Sequence, residues 1–81
     1  MTENIEKIVE SLLLSSSRPL TAAEILKAFN DSDDVHLADV KDALNKLKNF
    51  YSDRSIELVK VANGYRLKVK QDYSTWISKL W

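Results

Sequence analysis

Between Ile56 and Val69 the chain reads IELVKVANGYRLKV, two β-rich runs that meet at Asn63-Gly64. Asn-Gly between such runs is the strongest short-range hairpin signal, because both central residues of a type I′ turn must accept positive φ. Three segments with helical apolar spacing come before this hairpin and a fourth comes after it. That succession describes an α+β winged helix in the order α-α-α-β-β-α, with Val35 placed to add a short third strand to the wing. Folds of this kind either read DNA or grip another protein, and the remaining residues bear on that choice.

Eighty-one residues allow one domain with a small core. The chain has no cysteine, which removes disulfides and Cys-based zinc sites and fits a reducing cytoplasm. No apolar run reaches the roughly 18–20 residues of a membrane span. Glu3, Glu6 and Glu10 interrupt the basic-then-apolar order of a signal peptide. Net charge is zero, yet its distribution is uneven. Residues 1–40 hold eight acids against Lys7, Arg18 and Lys27, a balance of −5; residues 41–81 hold nine bases against Asp42, Asp53, Glu57 and Asp72, a balance of +5. A dedicated DNA-binding domain usually carries an overall basic excess, so this polarity suits a scaffold with distinct faces at least as well.

The first helix is expected over about residues 2–15, with Ile5, Ile8, Val9, Leu12 and Leu13 forming one stripe and Leu14 opposite it. Thr21 and Glu24 make a capping box for the second helix, and Leu20 with Ile25 a hydrophobic staple. Ile25, Leu26 and Phe29 point inward before the helix ends near Asn30 and the acidic loop Asp31-Ser32-Asp33-Asp34 begins. The third helix repeats this grammar. Val35 and Val40 staple it, His36 caps it, and Asp39 favours the positive end of its dipole. Val40, Ala43, Leu44, Leu47 and Tyr51 line its buried side with Leu37 at the edge. Lys41, Asp42, Asn45, Lys46, Lys48 and Asn49 face solvent, at the position where a winged helix meets DNA.

A loop at Asn63-Gly64 pairs Ala62 with Tyr65, Lys60 with Leu67, Leu58 with Val69 and Ile56 with Gln71. Ile56, Leu58, Tyr65, Leu67 and Val69 then cover the core. The outer face presents Glu57 beside Lys70, Val59 beside Lys68 and Val61 beside Arg66, a mixture of valines and bases that a purely solvated strand does not require. Asp72 caps a last helix with Tyr73, Trp76, Ile77 and Leu80 on one stripe and Trp81 at its margin. Trp76 is expected in the core. A chain ending in Leu80-Trp81 reads as a cut at a domain boundary.

Nothing in the sequence assembles a catalytic site or calls for a cofactor or metal. His36 serves as a cap, and the acidic loop lacks the glycine and distal glutamate of a calcium loop. With one glycine in the chain there is no phosphate-cradling loop. A DNA-binding reading, as a transcriptional regulator, rests on Lys41, Asn45, Lys46 and Lys48 of the third helix and on Arg66, Lys68 and Lys70 of the wing. Against it, Asp39 and Asp42 lie on or beside the same helix, which also lacks arginine, the commonest reader of guanine. A partner-binding reading rests on Leu14, on Val59, Val61 and Arg66 of the outer wing, and on the aromatic last helix, where Tyr73, Trp76 and Trp81 are of the kinds that anchor interfaces.

The ordered set IVESLLLSSSRPLTAAEILKAF, VKDALNKLKNFY and SIELVKVANGYRLKVKQDYSTWISKL resembles the N-terminal domain of the segregation and condensation protein B family over nearly the whole chain. Ser55 and Asn63 stand where that family often has glycine. The resemblance implies tandem winged-helix domains of which residues 1–81 would be the first. It also implies a non-enzymatic, cytoplasmic and nucleoid-associated subunit. That subunit would homodimerise and clasp the kleisin, segregation and condensation protein A, beside the structural-maintenance-of-chromosomes ATPase of the bacterial condensin. In such proteins the dimer contact lies in this domain, which places Leu14 and the wing as candidates.

Overall fold

The computed structural model describes residues 4–81. In chain order the elements are α1 (Ile5–Ser15), α2 (Ala22–Leu26), a 3₁₀ turn (Asp31–Asp33), α3 (Leu37–Phe50), β1 (Ile56–Val61), β2 (Gly64–Val69), a second 3₁₀ turn (Gln71–Tyr73) and α4 (Ser74–Leu80). This is the α-α-α-β-β-α order of a winged helix. The expected start of the first helix at Thr2 lies outside the described residues; the observed helix begins behind Asn4, whose φ is 61°.

The three leading helices close around one core of Val9, Leu13, Ile25, Val40, Ala43, Leu44 and Leu47. Leu20 and Val35, the expected staple residues, both pack against the core that contains Ile25 and Val40. The Thr21–Glu24 box is complete, with the Thr21 N–H donating to Glu24 Oε1 at 2.9 Å and the Glu24 N–H to Thr21 Oγ1 at 3.1 Å. His36 is the N-cap of α3, and its N–H donates to Asp39 Oδ2 at 2.9 Å. The acidic loop folds on itself by the same device, the Asn30 N–H donating to Asp33 Oδ2 at 2.7 Å. Tyr51, just past α3, donates its hydroxyl to Glu10 of α1. The carboxylate beside it, with partial burial, holds the phenol above its ordinary pKa.

The hairpin departs from expectation in register. β1 and β2 pair antiparallel as Ile56↔Val69, Leu58↔Leu67, Lys60↔Tyr65 and Val61↔Gly64, so the turn is Ala62-Asn63 and not Asn63-Gly64. Every pairing is offset by two residues from the expected one. A two-residue slip preserves the faces, since side chains alternate with period two. The cause is Gly64. It is buried, its φ is not positive, and a Cβ built on it would stand 2.7 Å from Pro19 Cβ. The glycine therefore serves a close approach of backbones. Beside it, Leu20 and Tyr65 exchange backbone hydrogen bonds of 2.9 and 2.7 Å. Leu20, not Val35, supplies the third strand, as a single bridge. With glycine committed to that seam, positive φ falls on Ala62 at 56°. A positive φ at the first turn position only is the type II′ pattern, in which glycine is the usual residue.

Leu58, Tyr65 and Leu67 pack on the core as expected, whereas Val69 is exposed. The last helix departs further. Asp72 falls in the preceding 3₁₀ turn, and the N-cap of α4 is Tyr73 with no side-chain cap. Trp76 is not in the core: it is 66% exposed, Leu80 75% and Trp81 93%. Neither the core nor the described apolar residues packed against it include any residue of α4.

Candidate functional surfaces

Two surfaces combine chemistry and exposure, and α3 builds the first. Its polar residues divide by helical position into two groups that face different ways. Asp39, Asp42 and Lys46 line a cleft of ≈ 540 Å³ shared with Ile5, Glu6 and Lys7 of α1, and there Lys46 Nζ pairs with Asp42 Oδ2 at 3.2 Å. Lys41, Asn45 and Lys48 point the other way, into a groove of ≈ 330 Å³ between α3 and the wing. Leu44, Leu58 and Tyr65 form its floor and Lys60 its far wall, with Lys60 Nζ 5.7 Å above the Tyr65 ring. That distance lies within cation–π range. Among the described residues, no carboxylate lines this groove. Glu57 is the nearest acid on the wing, in a neighbouring hollow with Lys48 and Lys70, where Lys70 Nζ donates to Ser52 O at 2.8 Å.

Asp39 and Asp42, weighed against DNA binding because they lie on or beside the same helix, line the cleft with Lys46 and not the groove with Lys41 and Lys48. One side of the helix is mixed in sign and the other is purely basic. The residues proposed for DNA are also divided. Lys41, Asn45 and Lys48 share the groove, whereas Arg66 and Lys68 pair with Val59 and Glu57 on the opposite face of the hairpin. Sequence reasoning missed Lys60 and Tyr65 as groove residues because their strand positions assign them to the core face. A lysine at a core-face position was the available signal: the tip of the hairpin overhangs the core, and its inner face looks onto α3.

The second surface is apolar. Tyr73, Trp76, Ile77, Leu80 and Trp81 expose large side chains along the last helix and its ends, with Lys79 the only charge within α4. The tyrosine and tryptophan rings at its start lie 6.4 Å apart, centroid to centroid. Of the residues proposed for a partner, Tyr73, Trp76 and Trp81 belong here. Leu14 is exposed on α1. Val59 and Arg66 are cross-strand neighbours on the outer wing with Val61 beyond them, so these three share a face. Phe50, at the end of α3, is also well exposed, edge-on to Tyr51 at 5.0 Å. Its place off the buried stripe of α3 was the only sign of it. No described helix is long and apolar enough to cross a membrane.

Comparisons with known proteins converge. The sequence model of the family described as "Segregation and condensation complex subunit ScpB" matches residues 7–81. A segregation and condensation protein B homolog of Coxiella burnetii is 33% identical over 78 residues, covering 96% of this chain and 37% of that protein. The fold is that of ScpB from Mycobacterium tuberculosis, with a TM-score of 0.83 at 21% identity over 96% of this chain and 48% of the other. A dimer of the ScpB N-terminal domain complexed with ScpA peptide gives a TM-score of 0.78 at 21% identity, covering 95% of this chain and 87% of that one. The chain thus spans about two fifths of the Coxiella protein and about half of the mycobacterial one.

Proposed function

The chain belongs to the ScpB family of segregation and condensation complex subunits, and on that premise we propose that it is a scaffold domain, not an enzyme. It is the first winged-helix unit of such a subunit, in the cytoplasm at the nucleoid. It pairs with a second copy and holds the kleisin, segregation and condensation protein A, beside the structural-maintenance-of-chromosomes ATPase. The observation that carries this reading is the bare apolar stripe of α4. A helix whose large residues are two-thirds or more exposed at Trp76, Leu80 and Trp81 stabilises little within its own domain. Exposed aromatic patches of this kind mark protein–protein surfaces. With Lys79 its only charge, the stripe can meet its own copy across a two-fold axis without strong like-charge repulsion. Support also comes from a structurally similar N-terminal domain that was solved as a dimer with an ScpA peptide.

Leu14, and the outer wing at Val59, Val61 and Arg66, are proposed as further contact points. The alternative, a DNA-binding regulator, is disfavoured by the separation of Arg66 and Lys68 from the lysines of α3. Sedimentation over a concentration series, alone, with the cognate kleisin and with a short duplex, tests the reading. A concentration-dependent dimer that takes up kleisin and ignores DNA is expected. A monomer that shifts onto the duplex and leaves it with added salt would overturn the proposal. Leu14→Asp is expected to raise the monomer fraction; unchanged sedimentation removes Leu14 from the contact.

A further inference from the structure

We infer that the groove between α3 and the wing is a docking site for an acidic, extended peptide segment of a protein partner, seated by carboxylates on Lys41, Lys48 and Lys60 and by one apolar side chain on Leu58 and Tyr65. The inference deepens the scaffold reading, because it states the chemistry of the segment that a partner such as the kleisin would present. Three observations carry it. The lining is basic on both walls and, among the described residues, contains no carboxylate, while the acids of α3 are turned into the other cleft and Asp42 is already paired there. The floor is apolar and aromatic, and the Tyr65 ring holds the Lys60 ammonium at the rim. Asn45 lies between the two lysines of α3 and can both donate to and accept from a peptide backbone.

Shape decides between a peptide and a nucleic acid. A duplex is met by a helix that protrudes into its major groove, flanked by bases that reach phosphates on either side. Here α3 forms one wall of a hollow of ≈ 330 Å³, which is a size for a few side chains. Arg66 and Lys68, which would have to clamp a backbone beside it, face away. A concave, lysine-rimmed hollow with an apolar floor matches a strand-like segment that alternates acids with a hydrophobic residue.

The test uses the whole chain in two titrations. In the first, the cognate kleisin is titrated into wild type, into Lys41→Glu/Lys48→Glu and into the control Lys27→Glu, with circular dichroism confirming each fold. Weakening of about tenfold or more for the double variant alone is expected, with Lys41→Gln/Lys48→Gln in between. Equal binding by all of them would overturn the groove assignment and leave the scaffold reading standing. In the second, amide shifts are followed by NMR on adding a short glutamate-rich peptide with a central leucine. Shifts gathered on Lys41, Lys48, Lys60 and Tyr65, and lost in the double variant, support the site even where kleisin fails to bind, which would sink the scaffold reading only. Shifts absent from these residues, or the same shifts produced more tightly by a short duplex, overturn it.

Discussion

Helices α3 and α4 carry the same kind of apolar stripe and meet opposite fates. In α3, Val40, Ala43, Leu44 and Leu47 are all buried, against α1, α2 and the hairpin. In α4, no residue is buried. Helical periodicity reports that a helix has a face to cover; it does not report which molecule covers it. The three leading helices and the inner face of the hairpin enclose a core of seven described residues, to which α4 contributes none. The bare stripe of α4 is therefore the face on which the proposed scaffold reading rests.

The sharpest way to break this contrast is to truncate one residue from each stripe. Leu47 is 1% exposed, and Leu47→Ala is expected to destabilise by about 2–5 kcal/mol, enough to unfold much of a domain this small. Trp76→Ala removes a larger side chain yet is expected to change the stability of the monomer by only about 0.5 kcal/mol or less, as surface substitutions do. Its effect belongs in sedimentation, as a loss of dimer. Urea denaturation at low protein concentration measures both, and comparable losses for the two variants would show that α4 packs within its own domain after all.

The hairpin seam comes next in size. Gly64→Ala forces a methyl against Pro19 at 2.7 Å, where both sides are backbone or rigid ring, so a cost of about 1–3 kcal/mol is expected. Had the glycine been a turn residue in open solvent, the loss would track positive φ instead. A mild companion separates the two roles: Ala62→Gly places glycine at φ 56° and is expected to stabilise by a few tenths up to about 1 kcal/mol. Thermal denaturation of the pair locates the strained position. Stabilisation by neither variant, or destabilisation by Ala62→Gly, would contradict the register described above.

Which features were legible in the sequence follows from how local their causes are. Caps and staples such as Thr21–Glu24 and Val35–Val40 involve residues a few positions apart, so spacing alone reveals them. The faces of β1 and β2 were also readable, because alternation survives a slip of two. The register was not, since it depends on Pro19 pressing on Gly64 from 45 positions away in the chain. The division of α3 into two polar sides follows from helical position, but only the place of the wing turns the side with Lys41 and Lys48 into a groove walled by Lys60 and Tyr65. Trp76 was misplaced for a third reason: composition makes a tryptophan a core residue by default, and nothing local says that the core forms without it.

The finest test compares the two short helices. α2 has five residues and α4 seven, and neither length is stable on propensity alone. α2 is held by a capping box, by the burial of Ile25 and by Arg18, whose Nη2 lies 2.8 Å from Glu24 Oε2. The Arg18 guanidinium first, and the Thr21 N–H second, draw the Glu24 carboxyl well below the usual carboxylate range, to about 2. The folded pKa is lower than the unfolded one, so this stabilisation is present in full above the ordinary carboxylate pKa of about 4.3. It is lost as pH falls from there through about 2. Glu24→Gln keeps a residue that can close the box but removes the charge. Wild type is therefore expected to exceed Glu24→Gln slightly in denaturation midpoint at neutral pH, and the gap should close on acidification across that window. The group is partly exposed, so the gap is the smallest effect of the series and should shrink in high salt. A gap that persists at the acid end would mean that the carboxylate's geometry, and not its charge, holds α2. The comparison with α4, which has no side-chain cap at all, would then turn on the box alone.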